Sequence, residues 1–227
     1  MLRRNGYAAA FATTQGDGDV ELVIGSRRWS SWSLRPWLAL RHLGIAFDTT
    51  VIALRRPDTR SRIARVSPSG KVPVLLVDGH AIWDSLAICE YANELAGGRG
   101  WPEDAAQRAH ARSISLEMHG GFAALRATWP MEAGRTGVNV PLTTEAAADV
   151  ERVQTLWTEC RTRYGAAGPW LFGTWTIADA MYAPVVLRFH TYAAELRPLA
   201  QEYLATTLAD RHLVDWLAAA AREPDGD

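Results

Sequence analysis

The chain has 227 residues, of which 48% are hydrophobic and 22% charged, and its formal net charge is −1. That length can form one large domain or two modest ones, and the near-neutral charge argues against nucleic acid or an anionic membrane as a partner. The two cysteines, Cys89 and Cys160, fit a reducing compartment and argue against a disulfide framework or a cysteine-rich zinc site, so we expect no bound metal.

The first 19 residues start with basic side chains and then carry a short alanine-rich stretch, a pattern faintly similar to an export signal. The apolar part, residues 7–12, is shorter than the roughly 7–15 residues that a signal core needs. We expect residues 1–19 to be a disordered extension or the result of a start codon placed too early. Because the sequence also has no run of about 18 apolar residues, we expect a cytoplasmic protein that does not cross a membrane.

Residues 20–97 predict strands and helices in the order βαβαββα. A β-branched run at 20–24 predicts the first strand, and the helix that follows has Ser33 as its expected N-cap and Gly44 at its end. Asp78-Gly79 between two apolar runs predicts a hairpin. A parallel unit followed by an antiparallel hairpin and a final helix is the thioredoxin-like plan. The remaining predicted elements are a strand at 45–51, a short helix within 55–66, strands at 72–77 and 80–83, and a helix from 84 to about 96.

The sequence pattern predicts that the second half of the chain is helical almost throughout. A linker at 97–105, with glycines followed by Trp-Pro, separates it from the first half, so we expect an all-α domain over residues 98–227. Helices are predicted at 103–128, 144–164 and 177–196, with a pair within 199–222.

Several common catalytic motifs are missing from the sequence. A G-x-S-x-G nucleophile elbow does not occur, and neither a P-loop nor a G-x-G-x-x-G follows a predicted strand. His110 and His119 lie on opposite sides of one predicted helix, so that helix cannot present both to a metal. These observations argue against an α/β-hydrolase, a nucleotide-binding fold of those types and a two-histidine metal site.

Pro73 follows Val72 at the start of an apolar strand pattern, where proline removes one backbone donor from the sheet. The simplest interpretation is that Pro73 only starts the strand. The alternative is a cis Val72–Pro73 bond, which would turn the N–H and C=O of Val72 outwards, where a substrate with peptide groups could pair with them. Only about 5–6% of X-Pro bonds are cis, so the cis prediction depends on the predicted fold.

Asp84 and Ser85 open a predicted helix, and an N-cap role alone would explain both residues. A helix N-terminus with free N–H groups and a hydroxyl is also a binding site for a carboxylate, and Asp84 could meet a nearby ammonium group. A site with both properties suits the head group of an α-amino acid. The two roles are compatible, because a helix N-terminus has more than one free donor.

The stretch WSSWSLRPW, residues 29–37, joins the first predicted strand to the first helix. A serine at a helix start is most often a cap. A hydroxyl in the positive field of a helix N-terminus can also stabilise a thiolate, and lowering a thiol pKa by about two units corresponds to about 2.7 kcal/mol. Three serines leave room for both roles.

Thr176 and Asp179 are spaced for a reciprocal capping box at the start of the predicted helix 177–196. Aspartate takes the position that glutamate or glutamine more often holds. We expect Asp179 to be buried and to fix the helix start, which is a structural role rather than a catalytic one.

Taken together, the motifs SGKVPVL at 69–75, DSLAI at 84–88 and TIADA at 176–180 resemble those of a cytosolic glutathione S-transferase, from about residue 20 to residue 222. Within that family, SSWSLR at 30–35 is similar to the Ser-Ser-Cys-x-x-Arg motif of serine-type, zeta- and theta-like members. The resemblance implies a thioredoxin-like domain followed by an all-helical domain, glutathione as cosubstrate, and a homodimer with two active sites.

Matched residue by residue, the resemblance implies that Ser30 is the catalytic serine. Val72 would pair with the cysteinyl backbone of glutathione, Asp84 and Ser85 would hold the γ-glutamyl head, and Lys71 would lie near the glycyl end. The implied glutathione-binding set is Ser31, Lys71, Val72, Asp84 and Ser85, and the candidate electrophile pocket comprises Trp32, Met118, His119 and Arg126.

Two departures from the family pattern bear on function. Asp84 stands where glutamate is commoner, which shortens the reach to the same ammonium group. Trp32 stands where zeta proteins have cysteine, which argues against maleylacetoacetate isomerase activity and against thiol transfer.

We therefore expect a glutathione transferase in which Ser30 donates a hydrogen bond to the glutathione sulfur, and the thiolate attacks a hydrophobic electrophile held against the helical domain. One alternative is a glutathione-dependent isomerase or peroxidase of the same fold. Another is a protein that binds glutathione or a different ligand without turnover. The identity of the electrophile, and the choice between Ser30 and Ser31 at the sulfur, stay open at this point.

Overall fold

The computed structural model describes residues 20–224 of the chain. The prediction of a disordered extension at residues 1–19 lies outside the described residues.

The N-terminal part contains a four-stranded sheet with helices on its faces, as the sequence predicts. Strands β1 (Val20–Gly25) and β2 (Asp48–Ile52) are parallel, and β3 (Val74–Val77) and β4 (His80–Trp83) complete the sheet order β2-β1-β3-β4 with antiparallel pairing. Helix α1 (Ser31–Leu43) provides the crossover between β1 and β2, α2 (Thr59–Ala64) follows β2, and α3 (Ser85–Leu95) follows β4. The predicted βαβαββα order is confirmed.

The second part is helical within the described residues, which confirms the predicted fold class. Its helices are α4 (Ala105–Gly120), α5 (Ala123–Thr128), α6 (Thr144–Tyr164), α7 (Ile177–Thr191), α8 (Pro198–Leu208) and α9 (Arg211–Ala220), with one 3-10 turn at Gly165–Ala167. None of these described helices is both long and apolar enough to cross a bilayer.

Two helices predicted in the second half of the chain have extents that differ from the structure. The predicted helix at 103–128 is divided because Gly121 has an extended backbone (φ −102°, ψ −167°) that ends α4, and Phe122, with a left-handed φ of 56°, redirects the chain into α5. The predicted helix at 177–196 stops at Thr191, and Ala193 again has a positive φ, of 49°. Neither break lies at a proline, and Pro184 lies within the continuous α7, so helical periodicity and proline positions do not reveal them.

Helix α7 connects the two parts of the molecule, since almost all of its side chains are buried. Ala180, Ala183 and Leu187 pack with apolar residues of the sheet, α1 and α9, whereas Met181 and Val185 pack into the helical core. Different faces of one helix therefore contribute to both cores, which holds the sheet and the helical part in contact.

The start of α7 is fixed by a buried carboxylate. Asp179 Oδ2 accepts hydrogen bonds from the Thr176 N–H at 2.8 Å and the Thr176 hydroxyl at 3.2 Å, and Oδ1 accepts from the Leu171 N–H at 3.2 Å. Thr176 and Asp179 form a reciprocal capping box. Burial raises the pKa of Asp179 to about 6, although these hydrogen bonds act in the opposite direction.

We expect Asp179→Ala to lower the free energy of unfolding by about 2–4 kcal/mol, because several buried donors lose their acceptor. Chemical denaturation followed by circular dichroism measures this change. Asp179→Asn keeps one oxygen acceptor and should cost less. Thr143→Ala removes the ordinary cap of α6, where the Thr143 hydroxyl accepts from the Ala146 N–H, and should cost about 1 kcal/mol. An Asp179→Ala loss no larger than that of this control would contradict the structural role.

Candidate active site

A cleft of about 540 Å³ lies where the loop before β3 and the start of α3 meet the first turn of α1 and the end of α4. Six residues predicted for the site line it: Trp32, Lys71, Val72, Asp84, Ser85 and His119. Its other lining residues are Ser69, Pro73 and Trp83. Ser30, Ser31, Met118 and Arg126 do not line this cleft.

The backbone before β3 offers one donor and one acceptor at the cleft. The Val72–Pro73 peptide bond is cis. Within residues 20–224, neither the N–H nor the C=O of Val72 forms a backbone hydrogen bond. Because Val74 pairs with Trp83 across the hairpin, this segment lies beside the residues that begin α3. An extended peptide in the cleft could therefore pair with Val72.

Asp84 forms the turn between β4 and α3 in a conformation that non-glycine residues seldom adopt, with φ 75° and ψ 133°. Its Oδ1 accepts hydrogen bonds from the backbone N–H of Leu86 at 2.8 Å and of Ala87 at 3.4 Å. Its Oδ2 lies 3.1 Å from Nε2 of His119 on α4. The carboxylate thus caps α3 and contacts the helical part, while 47% of the side chain stays exposed.

Ser85 is the first residue of α3 and is 1% exposed. Its hydroxyl has no hydrogen-bonding partner among the described residues, although it lies at the edge of the cleft. A buried hydroxyl without a partner costs free energy. Combined with the N–H groups at the start of a helix, it forms a site suited to a carboxylate.

The serines of the first turn have roles that differ from the prediction. Helix α1 begins at Ser31, three residues before the predicted start, because the Ser30 carbonyl accepts from the N–H groups of Ser33 and Leu34. The prediction of Ser33 as N-cap is therefore wrong. The fully buried Ser33 hydroxyl instead accepts from the Gly25 N–H at 3.1 Å and from the Ser30 hydroxyl at 2.6 Å.

Ser30 and Ser31 are both buried, at 5% and 7% exposure. Ser30 uses its hydroxyl proton to bond Ser33. The Ser31 hydroxyl forms no hydrogen bond with another described residue, which leaves its proton uncommitted. The two hydroxyls at the N-terminus of α1 thus differ in their freedom to donate to a ligand.

Trp32 connects the cleft to a group of cationic side chains. Its ring centroid lies 4.2 Å from Cζ of Arg35 and 5.3 Å from Cζ of Arg126, and the His119 ring meets it edge-on at 5.2 Å. Arg126 also donates hydrogen bonds to the carbonyls of His119 and Gly121. Trp32, His119 and Arg126 therefore form one contact group, of which Trp32 and His119 line the cleft. The role of this group as an electrophile pocket stays a prediction.

Met118 does not belong to this group, and its assignment to the electrophile pocket is wrong. Its side chain is fully buried in the helical core, because it lies on the face of α4 that packs against α7. Trp37 is likewise a core residue, 5.3 Å from the ring of Trp216, whereas Trp29 lines a separate cavity of about 280 Å³.

Arg35 is the residue of this region whose environment the sequence did not reveal. It is fully buried, and none of its guanidinium nitrogens has a hydrogen-bonding partner among the described residues. Burial, together with repulsion from Arg188 and Arg126, lowers the pKa of Arg35 to about 9. The one sequence feature that could have indicated this burial is the position of Arg35 within the otherwise apolar stretch LRPWLAL, residues 34–40.

Sequence comparison finds similarities to known proteins. Residues 29–95 match the family model of the glutathione S-transferase N-terminal domain. A probable maleylacetoacetate isomerase of Caenorhabditis elegans is 38% identical over 93 residues, which span 40% of this chain and 42% of that protein. The aligned part thus covers less than half of the curated relative.

Solved structures extend the likeness to the helical part. A glutathione transferase homolog from Burkholderia with bound glutathione is 21% identical, covering 90% of this chain and 100% of that one, with a TM-score of 0.70. A tau class glutathione S-transferase from mango is 19% identical, covering 92% of this chain and 94% of that one, with a TM-score of 0.65. These matches confirm the fold predicted from the sequence.

The two residues that begin α3 should differ in their effect on folding. We expect Asp84→Ala to lower the free energy of unfolding by about 0.5–2 kcal/mol, because α3 loses its cap. Ser85→Ala should change it by less than about 0.5 kcal/mol, since its hydroxyl has no partner to lose. Urea denaturation of the two variants and the wild type measures both values, and a Ser85→Ala loss as large as that of Asp84→Ala would contradict the assignment of a free hydroxyl.

Proposed function

We propose, starting from this resemblance to glutathione S-transferases, that the chain is a glutathione transferase that activates the glutathione thiol for attack on an electrophile. In the reaction the sulfur forms a bond to the electrophilic carbon, the leaving group departs with its bonding electron pair, and the thiol proton passes to solvent. We place the activity in the cytoplasm, where free cysteines such as Cys89 and Cys160 stay reduced.

The observation that carries the proposal is the set of polar groups around the start of α3. The partnerless Ser85 hydroxyl and the α3 N-terminus suit the α-carboxylate of the γ-glutamyl head, and Asp84 suits its ammonium group. The backbone of Val72 lies in the same cleft and suits the cysteinyl peptide unit. Lys71, also in the cleft, suits the glycyl carboxylate. One ligand would engage all of these groups.

Activation of the thiol is assigned to the N-terminus of α1. Ser30 is the residue that the resemblance implies, and it must rotate its hydroxyl away from Ser33 to donate to sulfur. Ser31 is the alternative, because its proton is uncommitted. Either hydroxyl would act together with the positive end of the α1 dipole to favour the thiolate.

We further propose that two copies of the chain form a homodimer. Leu116 on α4 is 57% exposed and Trp83 on β4 is 47% exposed, which is unusual for side chains of this size. Both lie near the start of α3, where Leu86 and Leu116 border a small surface cavity. A second copy covering this surface would remove both side chains from water.

A glutathione-dependent isomerase is the alternative favoured by the Caenorhabditis elegans relative. Its similarity covers 93 residues and 40% of this chain, and the family model covers the N-terminal domain. The tryptophan at position 32 argues against isomerisation, since no thiol is present in the stretch 29–37. We therefore favour the transferase.

The first test concerns binding of glutathione. We expect Ser85→Ala to weaken glutathione binding about 10-fold or more, because a hydrogen bond to a carboxylate contributes roughly 1.5–3 kcal/mol. Isothermal titration calorimetry measures the affinity. Ser113→Ala, which removes an exposed serine of α4, is the matched control and should bind like the wild type. Equal affinity in all three proteins would contradict the proposed head-group site.

The second test concerns the thiol. We expect Ser30→Ala to raise the pKa of bound glutathione by about one to two units and to slow conjugation of 1-chloro-2,4-dinitrobenzene about 10- to 100-fold at pH 6.5, because the thiolate loses a charge-assisted hydrogen bond. Ultraviolet titration of the thiolate and steady-state kinetics measure these effects.

An effect confined to Ser31→Ala would assign the role to Ser31. An unchanged thiol pKa in both variants would contradict activation by a hydroxyl, and tight glutathione binding without turnover would identify a binding protein.

The third test concerns assembly. We expect the wild type to sediment as a dimer and Leu116→Glu to sediment as a monomer, because a carboxylate would be buried in the contact. Val214→Glu on α9, which is 48% exposed in the wild type, is the control and should leave the dimer intact. A monomeric wild type at micromolar concentration in analytical ultracentrifugation would contradict the homodimer.

A further inference from the structure

Arg35 is a buried cation without a counter-ion. Its side chain is fully buried, and its three guanidinium nitrogens lack hydrogen-bonding partners among the described residues. Its one close favourable contact is the Trp32 ring, at 4.2 Å from Cζ. Because burial of an unpaired charge is strongly unfavourable, such a residue is normally paired with a carboxylate.

The groups around Arg35 do not neutralise it. Arg126 and Arg188 add positive charge, and both lower the pKa of Arg35. The Cys89 thiol is fully buried, and burial raises its pKa far above the ordinary range, so it stays neutral. Asp84 favours the charged form of Arg35 but is the weakest influence on it, and its carboxylate is bound to α3 and His119. The cluster therefore has an excess of positive charge.

The other buried arginine shows what a satisfied guanidinium looks like in this protein. Arg188 is 4% exposed and donates to the carbonyls of Trp129 at 2.9 Å and Pro184 at 3.1 Å. Arg35 has no comparable bonds, although it is buried at least as deeply. Structural need alone thus explains Arg188 but not Arg35.

Trp32 separates Arg35 from the cleft. The indole lines the cleft and contacts the Arg35 guanidinium, whereas Arg35 itself does not reach the cleft surface. Arg126 is partly exposed and lies 5.3 Å from the same ring. A rotation of the Trp32 side chain into the cleft, which has a volume of about 540 Å³, would open Arg35 to a ligand that Arg126 had already attracted.

We propose that Arg35 and Arg126 bind a carboxylate on the electrophile, and that Trp32 covers this site until the carboxylate displaces it. The proposal rests on the proposed transferase function and names its substrate class: electrophiles that carry a carboxylate. A planar guanidinium with free parallel N–H groups matches a carboxylate in a two-point contact. The reacting carbon of such a substrate would then lie on the cleft side of Trp32, towards the N-terminus of α1.

A binding experiment tests the site without any requirement for turnover. Calorimetry of the full chain with 4-nitrobenzoate and the isosteric neutral 4-nitrobenzamide should show at least about 10-fold tighter binding of the benzoate, the size expected for hydrogen bonds to a charged group. Arg35→Leu should abolish that preference, and Arg126→Gln should reduce it. Arg152→Gln is the control, since Arg152 pairs with Glu117 on the surface and contacts none of these residues, and it should retain the preference.

Two more variants test the covering role of Trp32 and the folding of the arginine variants. Trp32→Ala should bind 4-nitrobenzoate more tightly than the wild type, because the cover is removed, and weaker binding would overturn the covering role. Replacing an unpaired buried charge by leucine is expected to preserve folding, which circular dichroism checks, and Arg126→Gln supplies a second variant at a partly exposed position. Equal binding of the two nitro compounds, or a preference that survives Arg35→Leu, would overturn the proposal. Competition between glutathione and 4-nitrobenzoate would also overturn it, since Arg35 would then serve a glutathione carboxylate.

A kinetic arm separates this proposal from the proposed function. With glutathione, 4-chloro-3,5-dinitrobenzoate should have a kcat/KM about 10-fold above that of 4-chloro-3,5-dinitrobenzamide, with chloride leaving as sulfur bonds to the ring carbon. In Arg35→Leu the ratio should fall to about 1, and an unchanged ratio would overturn the proposal. If neither compound reacts while the benzoate preference persists, the carboxylate site stands and the transferase function fails.

Discussion

The carboxylate of Asp84 fixes the geometry on which the cleft depends. A non-glycine residue at positive φ carries a backbone cost of about 1–3 kcal/mol, and at Asp84 that cost is offset by the two N–H groups bound to Oδ1 and by the contact of Oδ2 with His119. The same three contacts start α3 beside the cis-proline segment and tie α4 to the sheet. The N-terminus of α3, the β3–β4 hairpin and the contact with α4 therefore all depend on the position of Asp84. A ligand ammonium group at Asp84 would share the carboxylate with His119, so occupancy of the cleft and the contact between the two parts of the molecule are physically coupled.

The buried polar groups of the protein fall into two kinds, which differ in hydrogen bonding rather than in depth. Asp179 and Arg188 are buried and hydrogen-bonded. Asp179 fixes the start of α7, and Arg188 donates from α7 to the Trp129 carbonyl. Other side chains are buried without partners among the described residues, including Trp157 and Tyr203 in the helical core, and of these Ser85 and Arg35 adjoin the cleft or its Trp32 wall. Each leaves hydrogen-bonding capacity unused at a cost to stability. At the cleft, a ligand that supplies the missing acceptors, as proposed above, would offset this cost for Ser85 and Arg35.

Local signals make most of the fold predictable. The predicted bounds of α6 agree with the structure at both ends, because Thr143 caps its start and Gly165 directly follows its last residue. The adjacency of Val72 to Asp84 and Ser85 also follows from the sequence, since the Asp78-Gly79 hairpin fixes the register that pairs Val74 with Trp83. The environments of Met118 and Arg35 depend on how α4 and α1 rotate against α7, which is a property of packing and not of spacing. The N-cap prediction fails for a related reason: the Gly25 N–H donates to the buried Ser33 hydroxyl, and a one-dimensional capping rule cannot anticipate a partner from the preceding strand.

Under the proposed function, helix α1 would place thiol activation and substrate selection within two turns of each other. Ser30 and Ser31 stand at its N-terminus, and Trp32 and Arg35, three residues apart, share one face. The strand before the helix anchors the first turn through Ser33, and burial of the helix on α3 and α7 fixes its rotation. Because Ser33 anchors the start of the helix and packing fixes its rotation, a change at position 32 would alter access to Arg35 and Arg126 without moving the serines. Under the proposed function, substrate range could therefore vary through this one side chain while the proposed glutathione half of the cleft stays constant, which suits a transferase that combines one thiol cosubstrate with a selected electrophile.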